Sequence, residues 1–250
     1  ANELVLLGPK DAAGQHIPGG GLLGQAERDL ADAEEAVARA QRAGSLGPQH
    51  LAELIQKRDD AQKRVADLTA LREQMRDPEV TLVALQPGKT GENVRAALAI
   101  GDVDNADHVA TLVPGRTTNC RDSSADNVTY AKNLRQAAVD QGKIGASKVA
   151  TIAWMNYHAP QGGPDAEVAM ASLAREGADP LRKFATGIHS WRSERGMDVH
   201  QSIIPHSYGS TTAGIAMRDI GKDVVDDFAY TGSPGAGVAS VGTLGVDKDH

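Results

Sequence analysis

Long apolar runs, cysteines, aromatics and surplus positive charge are all scarce in this chain, and each shortage removes a class of protein. No apolar stretch approaches the roughly 18 residues a membrane span needs, and the N-terminal residues lack the basic-then-apolar order of a signal peptide, so the chain reads as soluble, with its compartment unassigned. A single cysteine, Cys120, excludes an internal disulfide framework and a cysteine-rich zinc site. Read by itself, it is a small residue in a loop rather than a reactive thiol. Aromatics make up only 3% of the residues, so Ala, Val, Leu and Ile must fill the core. The formal net charge of −7 provides no basic footprint for a polyphosphate, which disfavours nucleic acid and anionic membrane surfaces and leaves an uncharged or cationic small molecule. His16, His50, His158, His189 and His200 fall in no ligand spacing and no H-e-x-x-H pattern occurs, so no metal site and no cofactor are expected.

What is present is enough chain, 250 residues, for one α/β domain with a smaller appendage. After a Gly/Pro-rich lead ending at Gly19-Gly20-Gly21, Leu23, Ala26, Leu30, Ala33, Val37 and Ala40 recur at spacings of three and four, the stripe of an amphipathic helix. Gly44 to Pro48 interrupts it, Pro48 suits a first helical turn, and Leu51, Leu54, Ala61, Val65, Leu68 and Met75 restart the period. This predicts an antiparallel helical hairpin over 22–76. Arg58 and Arg72 break its second stripe, which favours packing on a domain over a long coiled coil.

Beyond Asp77-Pro78 the texture changes. Val80–Leu85, Val94–Ile100, His108–Val113, Val149–Trp154, Val199–Ile204 and Val224–Tyr230 read as strands, with helices expected near Ala125–Gln141, Asp165–Arg195 and Tyr208–Ile220. Such alternation implies a mostly parallel sheet with helices on both faces. The division expected is a hairpin segment over 1–78 and an α/β domain over 79–250.

The sharpest local signal is the strand ending Ser202-Ile203-Ile204, followed by Pro205-His206-Ser207-Tyr208-Gly209-Ser210 and a helical run. A strand, a tight turn carrying serine and a helix form the nucleophile elbow written G-x-S-x-G, in which the hydroxyl stands clear of the sheet and the next N–H points at an oxyanion. Ser207 is the candidate nucleophile and Gly209 the close-approach residue. Pro205 replaces the first glycine, costs a ladder hydrogen bond and crowds the turn. The competing reading is a plain serine N-cap. His206 adjoins the serine, but neighbours on a tight turn point apart, so it supports the elbow rather than acting as base.

Three further stretches accompany the elbow: a Gly-Asp-x-Asp-x-Ala-Asp turn at 101–107 ahead of Val113-Pro114-Gly115, Trp154-x-x-Tyr157-x-Ala159-Pro160, and Gly232-Ser233-Pro234-Gly235. In this order, over about 79–240, the chain resembles the actinobacterial branch of the α/β-hydrolase superfamily catalogued as a domain of unknown function. The resemblance implies a second oxyanion donor in the loop after Val113, the backbone N–H of Arg116 beside that of Tyr208, with Thr117 as the fallback. Arg116 stands where the family tends to carry a small residue. Trp154 and Tyr157 follow a strand at its presumed C-terminal end, where they either wall a pocket or pack in the core.

Other motifs fail on spacing. Gly88-Lys89-Thr90 lacks the earlier glycine of a phosphate-binding loop, Val83 standing in its place. Asp102, Asp104 and Asp107 lack the glycine and glutamate of a calcium loop. The glycines at 232–237 miss the dinucleotide-binding order.

The chemistry implied is acyl transfer on an ester or amide, which requires a base. In this fold an acid and a histidine follow the elbow. Asp226 and Asp227 sit at the wrong end of the last strand, and Asp247, Asp249 and His250 preserve the order only by crowding one terminal loop. The resemblance implies further strands, so the α/β-hydrolase-like domain is expected to be C-terminally incomplete. Two classes stay open: a serine esterase or lipase-like hydrolase whose activity in this chain alone is doubtful, and a non-catalytic module that docks a protein partner through its helical hairpin.

Overall fold

A computed structural model describes residues 2–43, 47–89, 91–162 and 166–246. The hairpin comes first. A short helix α1 (Asn2–Leu7) precedes α2 (Gly21–Ala43) and α3 (Pro48–Gln74), and Pro48 occupies the first turn of α3. Helix α1 lies inside the segment read as an irregular lead; six residues carry too little periodicity to announce it, and buried Leu6 holds it against the hairpin and the sheet.

The sheet has six strands: β1 (Val80–Gln86), β2 (Arg95–Ile100), β3 (His108–Val113), β4 (Val149–Met155), β5 (His200–Pro205) and β6 (Asp227–Phe228). Their spatial order is β1-β2-β4-β3-β5-β6. Pairing is antiparallel for β1/β2 and β2/β4 and parallel for β4/β3, β3/β5 and β5/β6. Helices α4 (Cys120–Gly142), α5 (Ala166–Ser193) and α6 (Gly209–Met217) connect and cover it. The expected mostly parallel sheet flanked by helices is therefore what the chain forms, with β1 and β2 adding an antiparallel edge that was not expected, and Asp165, the expected start of α5, lies outside the described residues.

Two cores sit on opposite faces of the sheet. One joins α2, α3 and α4 to β1 and β2 through Leu23, Leu68, Leu71, Leu98, Ile100 and Val128. The other joins α5 and α6 to the opposite face through Ile152, Trp154, Leu181, Ile203 and Met217. The hairpin stripe thus packs on the sheet side of the molecule. A buried carboxylate secures it: Asp67 of α3, 1% exposed, accepts from Val94 N (3.1 Å), Arg121 N (3.0 Å) and Arg121 Nη1 (3.0 Å). Burial pushes the Asp67 pKa up, while Arg121 and the two backbone donors oppose that shift. Cys120, buried beside it, donates to Val94 O (3.2 Å), and burial raises its pKa, so it behaves as a packed small residue.

The last strand is far shorter than the expected 224–230. The N–H of His206 donates to Val113 O (2.9 Å), so the N–H missing at Pro205 faces the other edge, toward 227–231. Regular pairing on that edge stops at Phe228 and resumes only as an isolated His206–Thr231 bridge.

Candidate active site

Strand order creates the site. β3 and β5 are parallel neighbours, but the chain leaves β3 for α4 on one face and leaves β5 for α6 on the other. Their carboxyl ends therefore open a crevice, the switch point at which open α/β sheets hold ligands. The loop 114–119 and the turn 206–208 meet there.

Ser207 occupies the turn with φ +52°, in the left-handed region. A serine held there costs on the order of 1–3 kcal/mol and persists only where surrounding contacts over-determine it. Those contacts are visible. Ser207 N donates to Thr231 O (3.0 Å), Thr231 N donates to Pro205 O (2.9 Å), and the Thr231 hydroxyl donates to the same carbonyl (2.9 Å). Gly209 N and Ser210 N donate to His206 O and Ser207 O (both 2.9 Å), which starts α6 directly after the serine. The rise of α6 needs glycine at 209, because a Cβ there would stand 2.3 Å from Val113 O. Thr231 was not singled out from the sequence, since a lone threonine beyond a short strand has no motif to mark it.

The loop after β3 presses on the serine. A Cβ on Gly115 would lie 2.8 Å from the Ser207 Cβ and 3.1 Å from its hydroxyl. The next residues differ in what their N–H groups do. Thr117 N donates to Pro160 O (2.7 Å), which consumes the fallback oxyanion donor, whereas Arg116 N makes no hydrogen bond among the described residues. Thr117 also carries a left-handed φ of +62°, so two of the three such non-glycine residues described lie in this site. Asn119 then caps α4, its side chain accepting from Asp122 N (2.9 Å).

Trp154 and Tyr157 do not line the crevice, which corrects their reading as pocket walls. Trp154 is fully buried in the α5/α6 core, and Tyr157, 3% exposed, stacks between Trp154 and Tyr208 at centroid distances of 5.8 and 6.4 Å. With so few aromatics, burial claims the large ones. Tyr157 still acts on the site from behind: its hydroxyl donates to Pro114 O (2.5 Å) and reaches Gly115 O (3.2 Å), and burial raises its pKa, keeping it a donor. Burial likewise pushes the Tyr208 phenol up to about 12.

A cavity of ≈ 510 Å³ opens at Ser207, with His206, Gly115, Arg116 and Thr231 around the serine and α4 along one side. The serine hydroxyl itself makes no hydrogen bond among the described residues. His206 is exposed, and its ring lies beside Gly232, where a Cβ would come 3.2 Å from Nε2. Asp226 and Asp227 are at the other end of β5: Asp226 accepts from Gln201 N (2.7 Å), and Asp227 pairs with His200 Nε2 (2.5 Å). Asp247, Asp249 and His250 lie outside the described residues. Among the described residues no group of His, Cys, Asp or Glu is arranged to hold a metal ion, and no helix is long and apolar enough to cross a membrane.

A family model described as an alpha/beta hydrolase matches residues 90–250. An uncharacterized protein of Mycobacterium tuberculosis is 34% identical over 192 residues, covering 75% of this chain and 70% of that protein. A second uncharacterized M. tuberculosis protein is 33% identical over 183 residues, 72% of this chain but 27% of the longer relative. Among solved structures, a dienelactone hydrolase from Anabaena variabilis aligns with a TM-score of 0.36 at 13% identity, over 62% of this chain and 64% of that one.

Proposed function

We propose, from the premise that this chain belongs to the alpha/beta-hydrolase family, that it is built for acyl transfer on an ester or amide with Ser207 as nucleophile. The observation that carries the reading is the left-handed Ser207 between β5 and α6, braced by Thr231 and set against Gly115. Strain of this kind in a cleft at a switch point accords with an elbow more than with an N-cap, whose residue ordinarily keeps an extended backbone.

In the proposed step the Ser207 hydroxyl oxygen attacks the substrate carbonyl carbon while a base accepts its proton. The backbone N–H groups of Tyr208 and Arg116 receive the negative charge that develops on the carbonyl oxygen. Collapse expels the alcohol or amine with a returned proton, and water then frees the acyl group from the serine. A complete cycle requires an imidazole to carry that proton. Without one the serine is a weak nucleophile, and only oxyanion and binding assistance remain.

The test is covalent labelling with a fluorophosphonate probe, followed by peptide mapping. Label on Ser207 that is lost in Ser207→Ala supports the nucleophile. A chain that stays unlabelled at probe saturation, with its fold intact by circular dichroism, would favour the non-catalytic module instead.

A further inference from the structure

We infer that the cavity at Ser207 is an acyl-chain groove, and that the substrate is an ester of an unbranched aliphatic acid of medium length, about hexanoyl to decanoyl. This deepens the serine-nucleophile reading and rests on it. Three observations carry the inference.

The first is direction. Ser123, Asp126, Asn127 and Tyr130 border the cavity and recur at three, four and seven residues, so they form one face of α4. At 1.5 Å per residue that face runs about 10 Å away from the serine. Tyr130, 62% exposed, stands at its far end.

The second is the floor. Leu112 and Ile204 are paired neighbours on β3 and β5 and both line the cavity. They point to the α4 face, where burial alternates so that each is only half-buried. Helix α4 packs on β2 and β4, which leaves this strip of the sheet open toward the groove. Two adjacent aliphatic side chains left uncovered beside a candidate nucleophile are a binding surface for methylene groups.

The third is how the polar lining is spent. Asn127 Nδ2 donates to Ser123 O (2.8 Å), and Ser123 Oγ accepts from Asn119 N (3.4 Å). The Thr118 and Thr231 hydroxyls donate to Gly115 O and Pro205 O (both 2.9 Å). Each of these groups commits a hydrogen-bonding function to the protein's own backbone, which leaves less of the polar lining for a ligand. The formal charges on the lining, Arg116 and Asp126, are both exposed. An aliphatic chain thus desolvates little that needs water, whereas a sugar or peptide substituent would find few partners along the floor.

The experiment measures binding of octanoate and butyrate to the whole chain by calorimetry. A fully buried methylene contributes about fourfold in affinity, so four of them on a half-open floor should give octanoate at least a tenfold advantage. Asn127→Trp, which fills the groove from the α4 side, should weaken octanoate at least tenfold and butyrate less than twofold. Tyr130→Ala, at an exposed position that folding does not depend on, should weaken octanoate alone by a few fold. Ser207→Ala should keep the octanoate preference, which separates the groove from the nucleophile: retained chain-length preference with no fluorophosphonate labelling sinks only the latter. Equal affinity for the two acids, or octanoate binding indifferent to both groove variants, would overturn the inference.

Discussion

Gly115 lies so close to Ser207 that a methyl group on it would stand 2.8 Å from the serine Cβ and 3.1 Å from its hydroxyl. Neither partner has room to give, since the elbow is pinned by Thr231 and the loop by Tyr157. Gly115→Ala is expected to cost about 1–3 kcal/mol by overpacking. It should also slow fluorophosphonate labelling of Ser207 at least tenfold. Urea denaturation and labelling kinetics check the two effects, and an alanine variant that labels at the parent rate would show that the loop and elbow do not act as a unit.

Tyr157→Phe removes a buried donor from Pro114 O and leaves that carbonyl without its 2.5 Å partner. The expected loss is about 1–3 kcal/mol, the cost of a stranded buried acceptor rather than the smaller net value of an ordinary hydrogen bond. The midpoint of urea unfolding should fall with little change in its slope. No change in the midpoint would mean that water replaces the hydroxyl.

Asp67→Ala should be more damaging, at about 3–5 kcal/mol, because the carboxylate is buried and neutralises Arg121 while tying α3 to Val94 and α4. Asp67→Asn, which keeps one acceptor, should lie between the alanine variant and the parent. Equal stability of all three would contradict a structural role for this anchor. The hairpin would then owe its position to apolar packing through residues such as Leu23, Leu68 and Leu71.

Hydrolysis of p-nitrophenyl acetate by the 250-residue chain is expected to stay within about tenfold of its Ser207→Ala variant, since no described histidine hydrogen-bonds the serine hydroxyl and loss of triad members costs several orders of magnitude. Robust turnover that vanishes in both Ser207→Ala and His250→Ala would assign the base to the terminal residues.

Much of the secondary structure was legible because its causes are local. The three-and-four spacing of Leu23 to Ala40 and the Pro48 restart require only neighbouring residues to specify a helix, and His108–Val113 emerged with the bounds expected of it. The strand, tight turn and helix around Ser207 were also legible, because they are adjacent in sequence. Tertiary structure decided the rest. Strand order placed β5 beside β3 and opened the crevice between their ends, a relationship between segments about ninety residues apart that no local pattern encodes. Packing drew Trp154 into the core and turned Tyr157 into a brace, because in a chain with 3% aromatics the gain from burying a large ring outweighs leaving it at a rim. Asp67 reads as one more charge on a helix until Val94 and Arg121 arrive from other elements to satisfy it, and Thr231 is unremarked until the fold sets its carbonyl against the Ser207 N–H. Periodicity and turn chemistry are properties of the chain; partners across space belong to the fold alone.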